Sequence, residues 1–393
     1  MSSEARRVGG PLTTRPFLTL AAIFAVAAAL ILWRLVAGLG ATTALSDAYP
    51  WGLWIAFDVV TGTALACGGY AMAILVYVLN KGRYHPMVRS AILTSALGYT
   101  IAGLSVVLDI GRPWLAWKIP LFFWKWNLHS ALLEVALCIM SYMVVLWIEL
   151  SPAFLERAAE GKGTIAGASR KILPILEKAL IWIIALGMLL PTMHQSSLGS
   201  LMLLTGPKLH PLWQTPLLPL LFLVSCIAMG FAAVVFESAL SSHLFRRRPE
   251  TEMLAGLARA VIPVLGVFFV LRLADVAWRG QLARAFAFDR YALAFWVETA
   301  LFVAGLAMLA NRSRLRDLGH LFRTAMIIML GGGLYRFNTY LVAYRPGDDV
   351  SYFPSVPEFT ITLGLVALEI LAYAVIVKSF PILSGAPRAA AER

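Results

Sequence analysis

Residues 53–79 read LWIAFDVVTGTALACGGYAMAILVYVL, an apolar run of 27 residues with one charged side chain, Asp58. A helix needs roughly 20 apolar residues to cross the hydrocarbon core of a bilayer. The run is therefore a membrane span with a carboxylate inside it. At 1.5 Å per residue, Asp58 lies roughly 10 Å below Trp51. An intramembrane carboxylate costs about 2.5–3.5 kcal/mol at a helix centre by insertion scales, so it calls for a reason.

Working outward, similar runs recur along the whole chain. They predict about ten spans, at 17–39, 53–79, 91–111, 126–149, 174–197, 217–242, 255–278, 291–310, 320–343 and 358–379. The chain has 393 residues, 60% hydrophobic and 14% charged, far from the charge content of roughly 25% in soluble domains. The predicted fold is an all-α polytopic membrane protein, with tails at 1–16 and 380–393 around a transmembrane domain at 17–379.

The net charge of +12 does not point to nucleic acid, because the basic residues lie in short loops between apolar runs. Lys and Arg number 22 on the side of the N-terminus and 9 in the alternate loops. The positive-inside rule then places both termini in the cytoplasm, in a bacterial inner membrane. No small-residue cleavage site follows the basic N-terminus, so the first span is expected to be retained. Arg6 and Arg7 read as anchor charges and not as an export signal.

The halves 53–197 and 217–343 show a faint repeat that predicts two parallel four-helix bundles with one flanking helix at each end. Asp109-Ile-Gly-Arg112 corresponds to Asp275-Val-Ala-Trp-Arg279, and WNLHSALLE ending at Glu134 to FWVE ending at Glu298.

Counting along the spans puts Asp58, Glu134, Asp275 and Glu298 about one-third of the way in from the same side. Asn127 and His129 fall in the same outer third. The fifth span reaches LPTMHQSSLGS, where Pro191 removes a backbone donor and His194 and Gln195 follow. Arg272 and Asp275 stand one turn apart and are able to pair. Arg336 and Asn338 close the ninth span, beyond Gly331-Gly332-Gly333, a run that suits close helix packing. Tyr99, Glu237 and Glu369 lie deeper and offer a proton path toward the inner surface. These groups predict a shared polar cavity near the outer face. His194 beside Gln195 suits hydrogen bonding to a quinone carbonyl.

Three cysteines, Cys67, Cys138 and Cys226, all sit inside apolar runs, too few for an iron–sulfur cluster. Of six histidines only His129 and His194 fall inside spans, and two transmembrane haems are excluded; no haem is expected. No metal is expected either. The outer loops, AYPWGLW (48–54), GRPWLAWKIPLFFWKWN (111–127), KLHPLWQTP (208–216) and YRPGDDVSYFPSVPE (344–358), are rich in Trp, Tyr and Pro. They read as an interfacial aromatic belt or as a docking face for a periplasmic partner.

PWGLWIAFD (50–58), ALACGGYAMA (64–73), YHPMVR (84–89), LPTMHQSSLGSLM (190–202), HPLWQ (210–214) and YFPSVPE (352–358) resemble the HybB-type membrane subunits of uptake [NiFe]-hydrogenases, within the NrfD/PsrC superfamily. The resemblance runs from the first span to the tenth. It implies a core of two four-helix bundles and a quinone-reactive subunit without metal. It implies partners as well: a periplasmic ferredoxin-like iron–sulfur subunit and the hydrogenase small and large subunits. Electrons from H₂ would reach menaquinone or ubiquinone. Asp58, Glu134 and His194 become first candidates for quinone protonation and headgroup binding, with Glu298 beside them. Gln195, Asn127, His129, Arg272, Asp275 and Arg336 complete the quinone-binding set. Glu134→Gln is expected to abolish quinone-linked H₂ oxidation while dye-linked oxidation persists.

Two other readings compete. A secondary transporter predicts substrate flux through the isolated subunit, and a structural anchor predicts that neutral substitutions among the acids are harmless. A quinone subunit of another NrfD/PsrC-type oxidoreductase differs only in its partner.

Overall fold

The computed structural model describes residues 5–347 and 350–384. Ten long helices follow one another: α1 Arg15–Ala37, α2 Trp54–Val78, α3 Gly82–Asp109, α4 Ala131–Ala159, α5 Thr164–Leu203, α6 Leu218–Leu244, α7 Thr251–Trp278, α8 Arg290–Ala310, α9 Leu318–Phe337 and α10 Val356–Ser379. Among the described residues, nine are long and apolar enough to cross a membrane, and α9 is the exception. It packs against α2, α6 and α8, so protein surrounds much of it and it can carry the buried Arg336.

Helix starts follow local chemistry. Ser130 caps α4 through Leu133 N, Asp289 caps α8 through Ala292 N, and Asp317 caps α9 through Gly319 N and His320 N. Ser355 and Glu358 form a capping box on α10. At one end of the bundle Arg6 N donates to Leu383 O (2.9 Å) and Val8 N to Val377 O (3.0 Å), so the two described chain ends meet. That is the basic end; the opposite one is the aromatic end.

Four helices depart from their predicted bounds by five residues or more: α3 starts nine residues early, α9 ends six early, and α4 and α5 shift at both ends. α4 begins at Ala131, so Asn127 and His129 stand in the preceding loop and not in the span. α5 runs for 40 residues, about 60 Å, well past the apolar run at 174–197. A helix does not end where apolarity ends, because its backbone bonds persist in water. The α4–α5 hairpin closes at the basic end, where Arg170 donates to Ala159 O (3.3 Å) and Gly161 O (3.2 Å).

α2 is the wedge of the fold. It packs on α3, α6 and α9 and is mostly buried, whereas α1 and α5 are mostly exposed. It is also discontinuous: a π-helical stretch Trp54–Thr61, a break at Ala66–Cys67, and a second π-helical stretch Ile74–Val78. At the break, a Cβ on Gly230 of α6 would stand 2.5 Å from Cys67 O, so only glycine allows the approach. The run at 331–333 serves close packing as predicted: Gly331 abuts Phe302 of α8, Gly332 abuts Met229 of α6 and Gly333 abuts Thr61 of α2. α1 and α10 pair with each other, and α10 lies against α3. Arg34 of α1 is buried and donates to Leu108 O (2.7 Å) and Ile110 O (2.6 Å), closing the C-terminus of α3.

Candidate functional site

The in-span polar residues gather in three clusters rather than one cavity. The first lies between α2, α3 and α5. Pro191 does not break α5; Thr192 Oγ1 back-bonds to Met188 O (2.7 Å), and the helix carries His194 and Gln195 inward, both fully buried. Gln195 Nε2 donates to Thr63 Oγ1 (3.1 Å) and to the Tyr99 hydroxyl (3.3 Å). His194 Nε2 lies 3.3 Å from the same Thr63 Oγ1. Thr63 spends its single proton on Val59 O (2.6 Å), so Oγ1 can only accept from its neighbours. Hydrogen-bond counting thus puts the His194 proton on Nε2. Nδ1 of His194 and Oε1 of Gln195 are left as buried acceptors without a hydrogen-bond partner among the described residues.

Two such acceptors on adjacent residues fit a hydroxyl donor. The quinone carbonyl expected at His194 is itself an acceptor, and this tautomer would not bind it. Both atoms call for a hydrogen-bond donor. Tyr99 also packs edge-on to Tyr142 of α4 (ring centroids 4.5 Å apart) and touches Cys67 Sγ at 3.8 Å.

The second cluster joins α7, α8 and α9. Arg272 is ion-paired with Glu298, and Asn338 Nδ2 donates to the other Glu298 oxygen (2.7 Å). The Arg272 guanidinium also stands over the rings of Tyr335 (4.4 Å) and Phe295 (4.9 Å). The pairing of Arg272 with Asp275 does not form. Asp275 points away, to Arg279 (2.6 Å) and Thr215 (2.7 Å), on the wall of a 580 Å³ cavity with Pro216, Leu217, Val270 and Trp278. Successive helical positions differ by about 100° in azimuth, so residues three apart share a face only roughly, and each took the partner its own face offered. Among the described residues Asp109 and Arg112 form no ion pair, so that half of the proposed correspondence lacks its counterpart.

The third cluster runs along one face of α10. Thr362 donates to Asp58 Oδ2 (3.2 Å), Glu369 lies beside Gly98 of α3, and Tyr373 donates to Glu237 of α6. Thr362, Glu369 and Tyr373 are spaced seven and four apart, which aligns them over about 16 Å. Nearer the basic end, Arg247 donates to Ser241 Oγ (2.9 Å) and to Ser384 O. Arg336, fully buried, stands between the halves and donates to Val60 O (3.1 Å) of the α2 π-helical stretch, and to Phe222 O (2.5 Å) and Ser225 Oγ (3.2 Å) of α6.

Glu134 joins none of these. It occupies the first turn of α4 and is exposed, as are Asn127 and His129. The apolar run had suggested an earlier helix start, and the five-residue shift lifts all three to the surface. Thr63, Tyr142, Thr362 and Tyr373 are partners that residue counting did not single out, while Asn338 was counted among the cavity groups without a role. An asparagine or threonine within an apolar run was the available signal.

Above the clusters, three loops and the start of α8 knit into a cap. Leu209 bridges to Tyr344, His210 N donates to Ala343 O (2.8 Å), and Arg345 N to Lys208 O (2.6 Å). Trp51 packs on Tyr344 (4.8 Å), and its indole donates to Tyr340 O (3.1 Å). His210 stacks on Tyr291 at 4.2 Å, and burial pushes its pKa down to about 4. Glu358 accepts from Ala44 N (2.9 Å), Ser355 N (2.8 Å) and the Tyr352 hydroxyl (2.5 Å), giving YFPSVPE a structural duty. The loop before α4 stays outside the cap and exposes Trp114, Trp117, Phe123 and Trp124 beside Lys118 and Lys125.

A family model described as polysulphide reductase, NrfD, matches residues 41–342. The chain is 40% identical over 388 residues to the probable Ni/Fe-hydrogenase 2 b-type cytochrome subunit of Escherichia coli K12, covering 98% of this chain and 96% of that protein. It is 28% identical to the menaquinone reductase integral membrane subunit of Nitratidesulfovibrio vulgaris, over 88% of this chain and 86% of that one. Similarity extends at 26% identity to the NrfD protein of Escherichia coli K12, over 53% of this chain and 65% of that protein.

Proposed function

The chain belongs to the polysulphide reductase NrfD family, and from that premise we propose that it is the quinone-reactive membrane subunit of a [NiFe]-hydrogenase complex. The observation that carries the reading is the pair of buried acceptors, His194 Nδ1 and Gln195 Oε1, that find no partner among the described residues. They suit the hydroxyl of a quinol, the two-electron, two-proton product of quinone reduction. The relative named as a menaquinone reductase subunit supports the same substrate class.

In this reading His194 and Gln195 hold the headgroup and Tyr99 fixes the Gln195 amide. Arg336 supplies buried positive charge where electrons arrive ahead of protons. Asp58, Glu369, Tyr373 and Glu237 form the proton route toward the basic end, which the excess of basic residues assigns to the cytoplasm. If that route delivers the protons, turnover is coupled to the membrane potential. Arg272 and Glu298 form a structural pair, since both Glu298 oxygens are engaged. Electrons come from a partner, a periplasmic ferredoxin-like iron–sulfur subunit fed by the hydrogenase small and large subunits. The exposed Trp and Phe side chains of the loop before α4 form the docking face.

The name of the Escherichia coli relative includes a b-type cytochrome. A bis-histidine haem needs two facing imidazoles. His85, His129 and His243 are exposed, and His210 is stacked in a loop. His194 and His320 sit toward opposite ends of the bundle. These residues do not fit such a haem, and no step is routed through one.

Purification of the complex in mild detergent, with partner identification, a visible spectrum and quinone extraction, tests the proposal. Co-purifying hydrogenase subunits and bound quinone without a haem band are expected. A different oxidoreductase partner would move the chain to another NrfD-type complex, and substrate flux through the isolated subunit would replace the reading with a transporter.

A further inference from the structure

At the basic end, far from the quinone site, α8 and α9 part around a cavity of about 300 Å³. Arg314, His320, Arg323, Met308, Met326 and Ile327 line it; the two arginines and Met326 are exposed, His320 is buried, and Met308 and Ile327 are half-buried. Deeper in the bundle the two helices close on each other, with Gly305 of α8 against Ile328 of α9. The cavity therefore opens sideways, onto the outer face of α9. Gly319, Arg323, Met326 and Leu330 line that face at intervals of four, three and four residues, and all are exposed. From the rim inward, the stripe passes from guanidinium to thioether to isobutyl.

Among the described residues, the charge at the rim is not neutralised. Residues 312–323 hold four arginines against Asp317 alone. The Asp317 carboxylate is engaged in capping α9, at 3.1 Å from Gly319 N and 3.0 Å from His320 N, and reaches Arg323 only at 4.0 Å. No described residue forms a hydrogen bond or ion pair with the Arg314 side chain. His320 is fixed by a 3.1 Å contact of Nε2 with Met308 O, which makes it a rigid wall.

We propose that this cavity binds the phosphate headgroup of an anionic membrane phospholipid. Two guanidinium forks match the phosphate oxygens in charge and geometry. A basic pocket between helix ends, opening on an apolar face, suits an acidic headgroup whose acyl chains run on beside it. A free phosphate would engage the rim and leave Met326 and Leu330 uncovered. Both parts of the site together select a lipid.

The full chain, purified and delipidated in mild detergent, is titrated with cardiolipin, phosphatidylglycerol, phosphatidylcholine or inorganic phosphate. Native mass spectrometry and thermal unfolding provide the readouts. One anionic lipid per chain is expected at an affinity at least tenfold above phosphatidylcholine, with no stabilisation by inorganic phosphate at equal concentration. Arg314→Ala/Arg323→Ala should weaken it about tenfold. Met326→Trp keeps both charges and puts a bulky ring into the cavity's lining, and should weaken it several-fold. Arg312→Ala/Arg316→Ala, outside the cavity, should change it less than twofold. Undiminished lipid binding in Met326→Trp, or an equal loss in the Arg312/Arg316 variant, would reduce the site to diffuse surface charge and overturn the proposal. Equal stabilisation by inorganic phosphate would overturn it in favour of a free anion.

Discussion

Gln195→Leu separates the structural and chemical duties of the first cluster. The substitution nearly preserves volume. It removes two neutral hydrogen bonds, to Thr63 (3.1 Å) and to Tyr99 (3.3 Å). Each is worth about 0.5–1.5 kcal/mol, so roughly 1–3 kcal/mol is lost. It also removes the buried, unpartnered Oε1, whose desolvation already costs the folded state about 1–3 kcal/mol. The two terms nearly cancel, and the unfolding temperature should move by a few degrees at most. Turnover has no such offset. A hydroxyl forming on the headgroup in the transition state that loses its acceptor forfeits about 1.4–2.7 kcal/mol, or a tenfold to hundredfold fall in quinone-linked kcat/KM. Dye-linked H₂ oxidation, which bypasses the membrane subunit, should be unchanged. Thermal unfolding in detergent and the two activities of the intact complex give all three numbers. Quinone-linked turnover within twofold of wild type, in a normally folded complex, would refute the assignment of Gln195 to the headgroup.

Three further outcomes follow from the geometry. Arg272→Met leaves Glu298 buried without its cation and should cost about 3–5 kcal/mol, whereas Arg272→Met/Glu298→Gln should recover at least half of that; unfolding of the single and double variants in detergent measures the difference. The His210 pKa is depressed below its unfolded value near 6.5, so its contribution is complete above pH 6.5 and is lost as the pH falls toward 4. Wild type should therefore lose stability across that window more steeply than His210→Phe, which keeps the stack on Tyr291; parallel pH–unfolding curves would contradict this. Glu369→Gln interrupts the polar face of α10 between Asp58 and Tyr373, and should lower quinone-linked turnover at least fivefold without altering assembly; in proteoliposomes, H₂ production from quinol should lose its sensitivity to an uncoupler.

Membrane residence and the count of about ten helices are properties of the sequence alone. Lipid offers the backbone no hydrogen-bond partners, so each crossing must be a helix of apolar residues whose length matches the bilayer. That demand is local and can be counted. Family motifs such as WIAFD and HQSS were equally legible, and the family match supports them. The depth of Asp58, Asp275 and Glu298 was also countable, but depth along a helix does not give azimuth. Asp58 turned to Thr362, Asp275 to Arg279, and Glu298 to Arg272, three directions from one predicted level. Glu134 moved to the exposed first turn of α4 because Ser130, and not the start of the apolar run, caps that helix. The break in α2 and the tautomer of His194 depend on Gly230 and Thr63, residues contributed by the packing of α6 and α2. Tertiary structure alone decided which costly polar groups meet, because a buried group takes whichever partner the neighbouring helix presents to its face.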